Sequence, residues 1–104
     1  MLDIGFLGYV SVGGTMPLAI QCRNGSLQVV SPTAAPTYSI YPSGFGSATA
    51  TGSLSASDTD SKTGFRTGSE TITASFTVGE LYTVIFEYAE GGNNRAAIGT
   101  FQVV

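Results

Sequence analysis

The chain has no histidine and no tryptophan, one cysteine, and four basic residues among 104. Each shortage removes a class of chemistry. Without histidine, neither a Ser-His nor a Cys-His nucleophile pair can be assembled. A single cysteine, Cys22, allows no intrachain disulfide and no Cys/His zinc set. The four basic residues, Arg23, Lys62, Arg66 and Arg95, are scattered and form no stripe. This argues against nucleic-acid binding by counterion release and against attachment to an anionic membrane surface. Charged residues make up 11% of the chain, less than half the ~25% of an average soluble domain. No apolar run approaches the ~20 residues of a membrane span. Residues 1–12 are apolar but carry Asp3 and no basic region, so they do not read as a secretory leader, and the expected place of synthesis is the cytosol.

What is present is β-forming. The stretch from Phe76 to Val104 reads FTVGELYTVIFEYAEGGNNRAAIGTFQVV and is the strongest signal. Tyr82, Val84, Phe86 and Tyr88 alternate with Thr83, Glu87 and Ala89, the period-2 pattern of a strand buried on one side. Gly91-Gly92-Asn93-Asn94 supplies a reversal, and Ala97, Phe101 and Val103 then share the inner face of the return strand. A hairpin this apolar needs the rest of the chain as cover.

Upstream, Met16, Leu18, Ile20 and Cys22 mark the inner face of a strand over Thr15–Arg23, and Pro17 sets its beginning on an edge or outside the pairing. Cys22 therefore reads as a buried structural thiol. Asn24-Gly25 predicts a hairpin returning through a strand at Ser26–Val30. Pro32 and Pro36 end that run. Thr37–Tyr41 is a short strand with Tyr38 and Ile40 inward, followed by a turn at Pro42–Gly46 carrying Phe45. Ala48–Ala56 reads as an edge strand anchored by Leu54. Ser57–Gly64 is a polar loop, Phe65 is expected to turn inward, and Ser69–Thr77 reads as a strand with Ile72, Ala74 and Phe76 in register. Residues 1–14, apolar but interrupted by glycine, read either as a first strand or as an extended arm lying on a neighbouring subunit.

Catalytic and metal chemistry find little support. Asp58, Asp60, Glu80 and Glu90 fall at loops and turns rather than as a convergent pair, so no acid–base enzyme is expected. Asp58 and Asp60 could hold a hard cation, but the remaining oxygens of such a site are missing, and a solvated turn is the simpler reading. No cofactor is expected. Among the tyrosines, Tyr38, Tyr82 and Tyr88 fall on inner faces. Tyr82, just after Gly79-Glu80, is placed like the corner tyrosine of immunoglobulin-like sandwiches. Tyr41 and Phe45, beside a turn, are better candidates for contact with a partner.

The succession APTYSIYPSG (35–44), TGSLSASDTDSKTGFRTGS (51–69) and the closing hairpin ending in GTFQVV resembles small Ig-like virion proteins of tailed bacteriophages and prophages. Several short strands separated by turn signals already read as an all-β sandwich, and that resemblance, covering roughly residues 33–104, fits a single Ig-like antiparallel β-sandwich of about seven to eight strands spanning residues 15–104. It implies a non-enzymatic structural protein of the virion, assembled in the host cytoplasm, most simply a head decoration or cement protein. The alternatives are a tail, neck or fibre component, or a host-glycan or receptor-binding module using Tyr41, Phe45 and the 57–64 or 90–95 loops. Expected partners are other virion proteins and further copies of the chain in a homo-oligomer or multi-copy array, with no nucleic acid and no membrane. Contact residues expected on this reading are Ile4, Phe6, Leu7, Tyr9 and Val10 from the N-terminal segment, together with Tyr41 and Phe45.

Overall fold

A computed structural model describes residues 5–104. It contains seven strands in two sheets: β1 (Gly5–Val10), β2 (Thr15–Gln21), β3 (Thr37–Tyr41), β4 (Ala50–Ser53), β5 (Phe65–Thr71), β6 (Leu81–Glu90) and β7 (Asn93–Val103). One sheet has five strands in the order β1-β7-β6-β3-β4, and the other pairs β2 with β5. Apart from a short 3-10 turn at Thr59–Ser61, the described residues contain no helix.

The β6–β7 pairing is the longest ladder, from Leu81↔Gln102 to Glu90↔Asn93, closed by Gly91 and Gly92 at φ 51° and 81°. The reversal is therefore tighter than the four residues expected, and Asn93 and Asn94 already belong to β7. Tyr82, Val84, Phe86, Phe101 and Val103 face inward and meet Met16, Leu18 and Ile72 from the opposite layer. Each large side chain removed completely from water contributes roughly 1.5–3 kcal/mol. At one end of this interior Phe76, Tyr82 and Phe101 pack ring against ring, with centroids 4.9 to 6.3 Å apart. The Tyr82 hydroxyl accepts the Thr77 amide at 2.7 Å, pinning the entry to β6.

The two-stranded layer relies more on polar ties. Tyr38 on β3 reaches across the core and donates to Glu70 Oε1 on β5 at 2.7 Å. Arg66, buried on β5, donates to Asp58 Oδ1 at 3.0 Å and to the Ser55 carbonyl at 3.2 Å. Tyr88 joins the far end of β6 to the segment after β2, accepting the Arg23 amide and donating to the Arg23 carbonyl.

Several sequence expectations are corrected. β1 runs parallel to β7, so the fold is not wholly antiparallel. Of the two readings of residues 1–14, residues 5–10 take that of a first strand in the domain's own sheet. Ser26–Val30 forms no strand: it contributes one bridge, Arg23↔Val29, and leaves Leu27 and Val29 exposed. The reason is local, because the Asn24 side chain accepts the Ser26 and Gln28 amides and closes a loop before a ladder can start. The edge strand anchored by Leu54 is shorter than Ala48–Ala56, covering only Ala50–Ser53. The Ser69–Thr77 strand stops at Thr71. The chain then turns, with the Phe76 amide bonded to the Thr73 carbonyl, so Ala74 is exposed while Ile72 and Phe76 stay buried. Phe65 is only half-buried, and Arg66 takes the inward position beside it. The Asp58 carboxylate and the Ser55 carbonyl satisfy the guanidinium there, which makes its burial tolerable.

Candidate interaction surface

Pairing register decides which side chains share the outer face of the five-stranded sheet. Tyr41 is opposite Thr83, Thr83 opposite Thr100, and Thr100 opposite Phe6, giving one row across β3, β6, β7 and β1. A second row runs Leu81, Gln102, Tyr9, and a third runs Ser39, Ile85, Ile98. Phe6 and Tyr41 are 35 positions apart in sequence. In space they are separated by three strand spacings, roughly 14 Å.

A β-bulge makes this face possible. Phe6 and Tyr9 are three residues apart, so an unbroken strand would point them to opposite sides. The register between β1 and β7 slips between Phe6 and Gly8, and one extra residue there restores both rings to the same side. Gly8 takes φ 126°, which a residue with a side chain rarely adopts. The two rings meet edge to face, with centroids 5.2 Å apart. On the other flank Tyr41 stacks on Phe45 at 5.6 Å and 29°. The turn bearing Phe45 is held by Glu80, whose Oε1 accepts the Ser43 hydroxyl at 2.9 Å.

The seven residues expected to contact partners separate as follows. Phe6, Tyr9, Tyr41 and Phe45 come together on or beside this outer face. Leu7, at the bulge, lies against Gly99 at the sheet edge. Val10 is buried in the core and is thus withdrawn from any contact surface. Ile4 lies outside the described residues. Leu81, Ile85 and Ile98 complete the apolar patch and were missed, because alternation alone marks them only as facing away from the core. Leu81 and Ile98 stay exposed, and Ile85 is half-buried. Of the described residues on this face of the sheet, Glu87 alone is charged.

Elsewhere the candidate groups are already engaged. Asp58 accepts from Ser31 at 2.7 Å, from Arg66 and from the Gly64 amide. The Ser31 hydrogen bond, aided by Arg66 and Gly64 and opposed by partial burial, holds its carboxyl below the usual range. No cluster of three potential metal ligands occurs among the described residues. Cys22 is buried, and burial raises its thiol pKa, with Arg66 opposing and Asp58 adding to the rise. The 57–64 loop and the 90–93 hairpin lie at the end of the domain marked by Asp58 and Tyr88, opposite the end that carries Phe45.

No protein-family model matches the chain, and no curated protein or solved structure was found similar to it. What stands is the class: an all-β domain of seven strands in two sheets, sandwich-like in its layering.

Proposed function

We propose that this chain is a non-enzymatic structural module of a bacteriophage particle, an Ig-like domain attached in many copies, with head decoration ahead of a tail, neck or fibre position. The observation that carries the reading is the gathering of Phe6, Tyr9, Tyr41 and Phe45 onto one nearly uncharged outer face. A broad aromatic surface suits contact with another protein surface. Weak contacts of this kind become firm attachment when many copies engage together.

The Ig-like part of the proposal is supported by strand order. β2 with β5, facing β3, β6 and β7, reproduces the B–E and C–F–G division of that fold, and β4 extends the second sheet beside β3. Tyr82, at the start of the strand equivalent to F and bonded to the Thr77 amide, stands where the corner tyrosine stands. The bacteriophage part rests on the sequence resemblance.

The test is to purify particles from a lysate carrying the gene and count this chain against the major shell protein. Many copies per particle are expected, and Tyr9→Glu with Tyr41→Glu should abolish incorporation while leaving the circular dichroism spectrum unchanged. Absence of the chain from particles would overturn the virion assignment. Normal incorporation of the doubly substituted chain would overturn the role of the face.

A further inference from the structure

We infer that the occupant of the outer face is a second copy of this chain, packed sheet against sheet about a two-fold axis that runs along the strands between β6 and β7. The inference rests on the reading of this face as the contact surface and names its partner.

The rows of this face match themselves when reversed. A two-fold interface must be self-complementary, since each side chain meets its opposite through the same operation. The central row is Phe6, Thr100, Thr83, Tyr41, ordered across β1, β7, β6 and β3. Turned about an axis between β7 and β6, it lays Phe6 over Tyr41 and Thr100 over Thr83, twice each. In the next row Ile85 and Ile98, opposite one another on β6 and β7, exchange places across the same axis. The row Leu81, Gln102, Tyr9 brings Tyr9 over the Pro42–Gly46 turn, where Phe45 stacks on Tyr41. Aromatic flank meets aromatic flank, and the aliphatic centre meets itself.

Charge and size agree. Glu87, opposite Ala96 in its ladder, would face Ala96 of the second copy, so no two carboxylates are brought into contact. Two twisted sheets pack face to face at ~10 Å, a separation that medium-sized side chains such as Ile, Thr and Leu fill. Four strands, β1, β7, β6 and β3, overlap about this axis while β4 overhangs, and about seven residues of strand length give a face of roughly 440 Å² per copy, or about 900 Å² for the pair. That is below the ~1,200 Å² of standard specific interfaces, so the dimer should be weak and reversible and depend on concentration.

The test uses the full chain. Sedimentation velocity from low micromolar to submillimolar concentration should show a monomer–dimer equilibrium, weakened at least tenfold by Tyr41→Glu or Ile98→Glu. The geometry has its own readout. A chain carrying both Phe6→Cys and Tyr41→Cys should be linked into dimers by a short bis-maleimide, whereas either substitution alone should give little dimer. Buried Cys22 supplies no competing thiol. A monomer at every concentration would overturn the inference, as would efficient linking of Phe6→Cys alone. If the chain is monomeric yet Tyr9→Glu with Tyr41→Glu still blocks particle incorporation, the dimer fails and the contact face survives. If incorporation is also unaffected, both fall.

Discussion

The outer faces of the two sheets differ more than the composition of the chain suggests. That of the two-stranded sheet carries Thr15, Pro17, Ala19 and Gln21 opposite Thr71, Ser69, Thr67 and Phe65, a half-buried ring and the one large apolar side chain of these eight. That of the five-stranded sheet carries Phe6, Tyr9, Tyr41, Leu81, Ile85 and Ile98. Both are almost free of charge, so low charge marks neither one as a binding surface. The number of large apolar side chains distinguishes them, one against six, and the six stand on the wider layer. The inner faces differ in a complementary way. Five strands hold together through long ladders and packed rings, whereas two strands cannot bury enough alone and are tied down by Arg66, Asp58, Tyr38 and Glu70.

The sharpest way to break this comparison is to unfasten the two-stranded layer. Gly64 has φ 73°, its carbonyl accepts the Cys22 amide at 2.8 Å, and a Cβ there would collide with the carbonyl oxygens of Val30 and Cys22. Gly64→Ala should cost on the order of 3 kcal/mol, read from urea unfolding. A loss below half that value would mean the β2–β5 end adjusts freely.

Next in size is the tie between layers. Tyr38→Phe removes the bond to Glu70 and should cost about 1–2 kcal/mol in the same assay. Burial, then the Glu70 hydrogen bond and charge, raise the Tyr38 pKa. A raised pKa means that stability is complete below the ordinary tyrosine value of ~10 and is lost as pH climbs beyond it. Thermal melts of the native chain should therefore fall at strongly alkaline pH, and Tyr38→Phe should flatten that fall.

Acid tests the other tie. The Asp58 pKa is lowered, so its contribution is present above the ordinary carboxylate range near ~4 and is lost as pH falls through the folded-state value. The melting temperature should drop in that acid window, and Asp58→Asn should reduce the dependence. An unchanged acid profile in Asp58→Asn would mean other carboxylates dominate.

The smallest stability effect is expected on the outer faces. Ile98→Thr on one sheet and Ala19→Ser on the other should each change unfolding free energy by no more than about 0.5 kcal/mol. Only Ile98→Thr should weaken self-association in sedimentation. Equal effects of the two substitutions on association would erase the distinction between the faces.

Much of the fold was legible along the chain. Alternation in β2, β3, β6 and β7 identified their inward residues, because a side-chain period of two is a local property of an extended backbone. That Tyr82 bonds backbone through its hydroxyl was legible too, since its partner Thr77 lies only five residues away. The reading failed where a non-local group reversed a local preference. Phe65 is the more apolar of its pair, yet Arg66 points inward because Asp58 and Ser55 wait there to satisfy it. Leu27 and Val29 alternate correctly, but Asn24 folds the backbone into a loop before they can pair.

By itself, then, the sequence determined that this chain is built of short strands, that its aromatic hairpin contributes to the core, and that histidine-based chemistry and an intrachain disulfide are closed to it. Residue types and period-2 spacing are enough for those conclusions. Only the tertiary structure decided that Phe6 and Tyr9 share a side, that they lie in register with Tyr41, and that Val10 is withdrawn into the core. Those facts depend on a one-residue bulge and on pairing between distant strands. A single-residue change of register turns every side chain to the other face, and nothing in the local sequence records it.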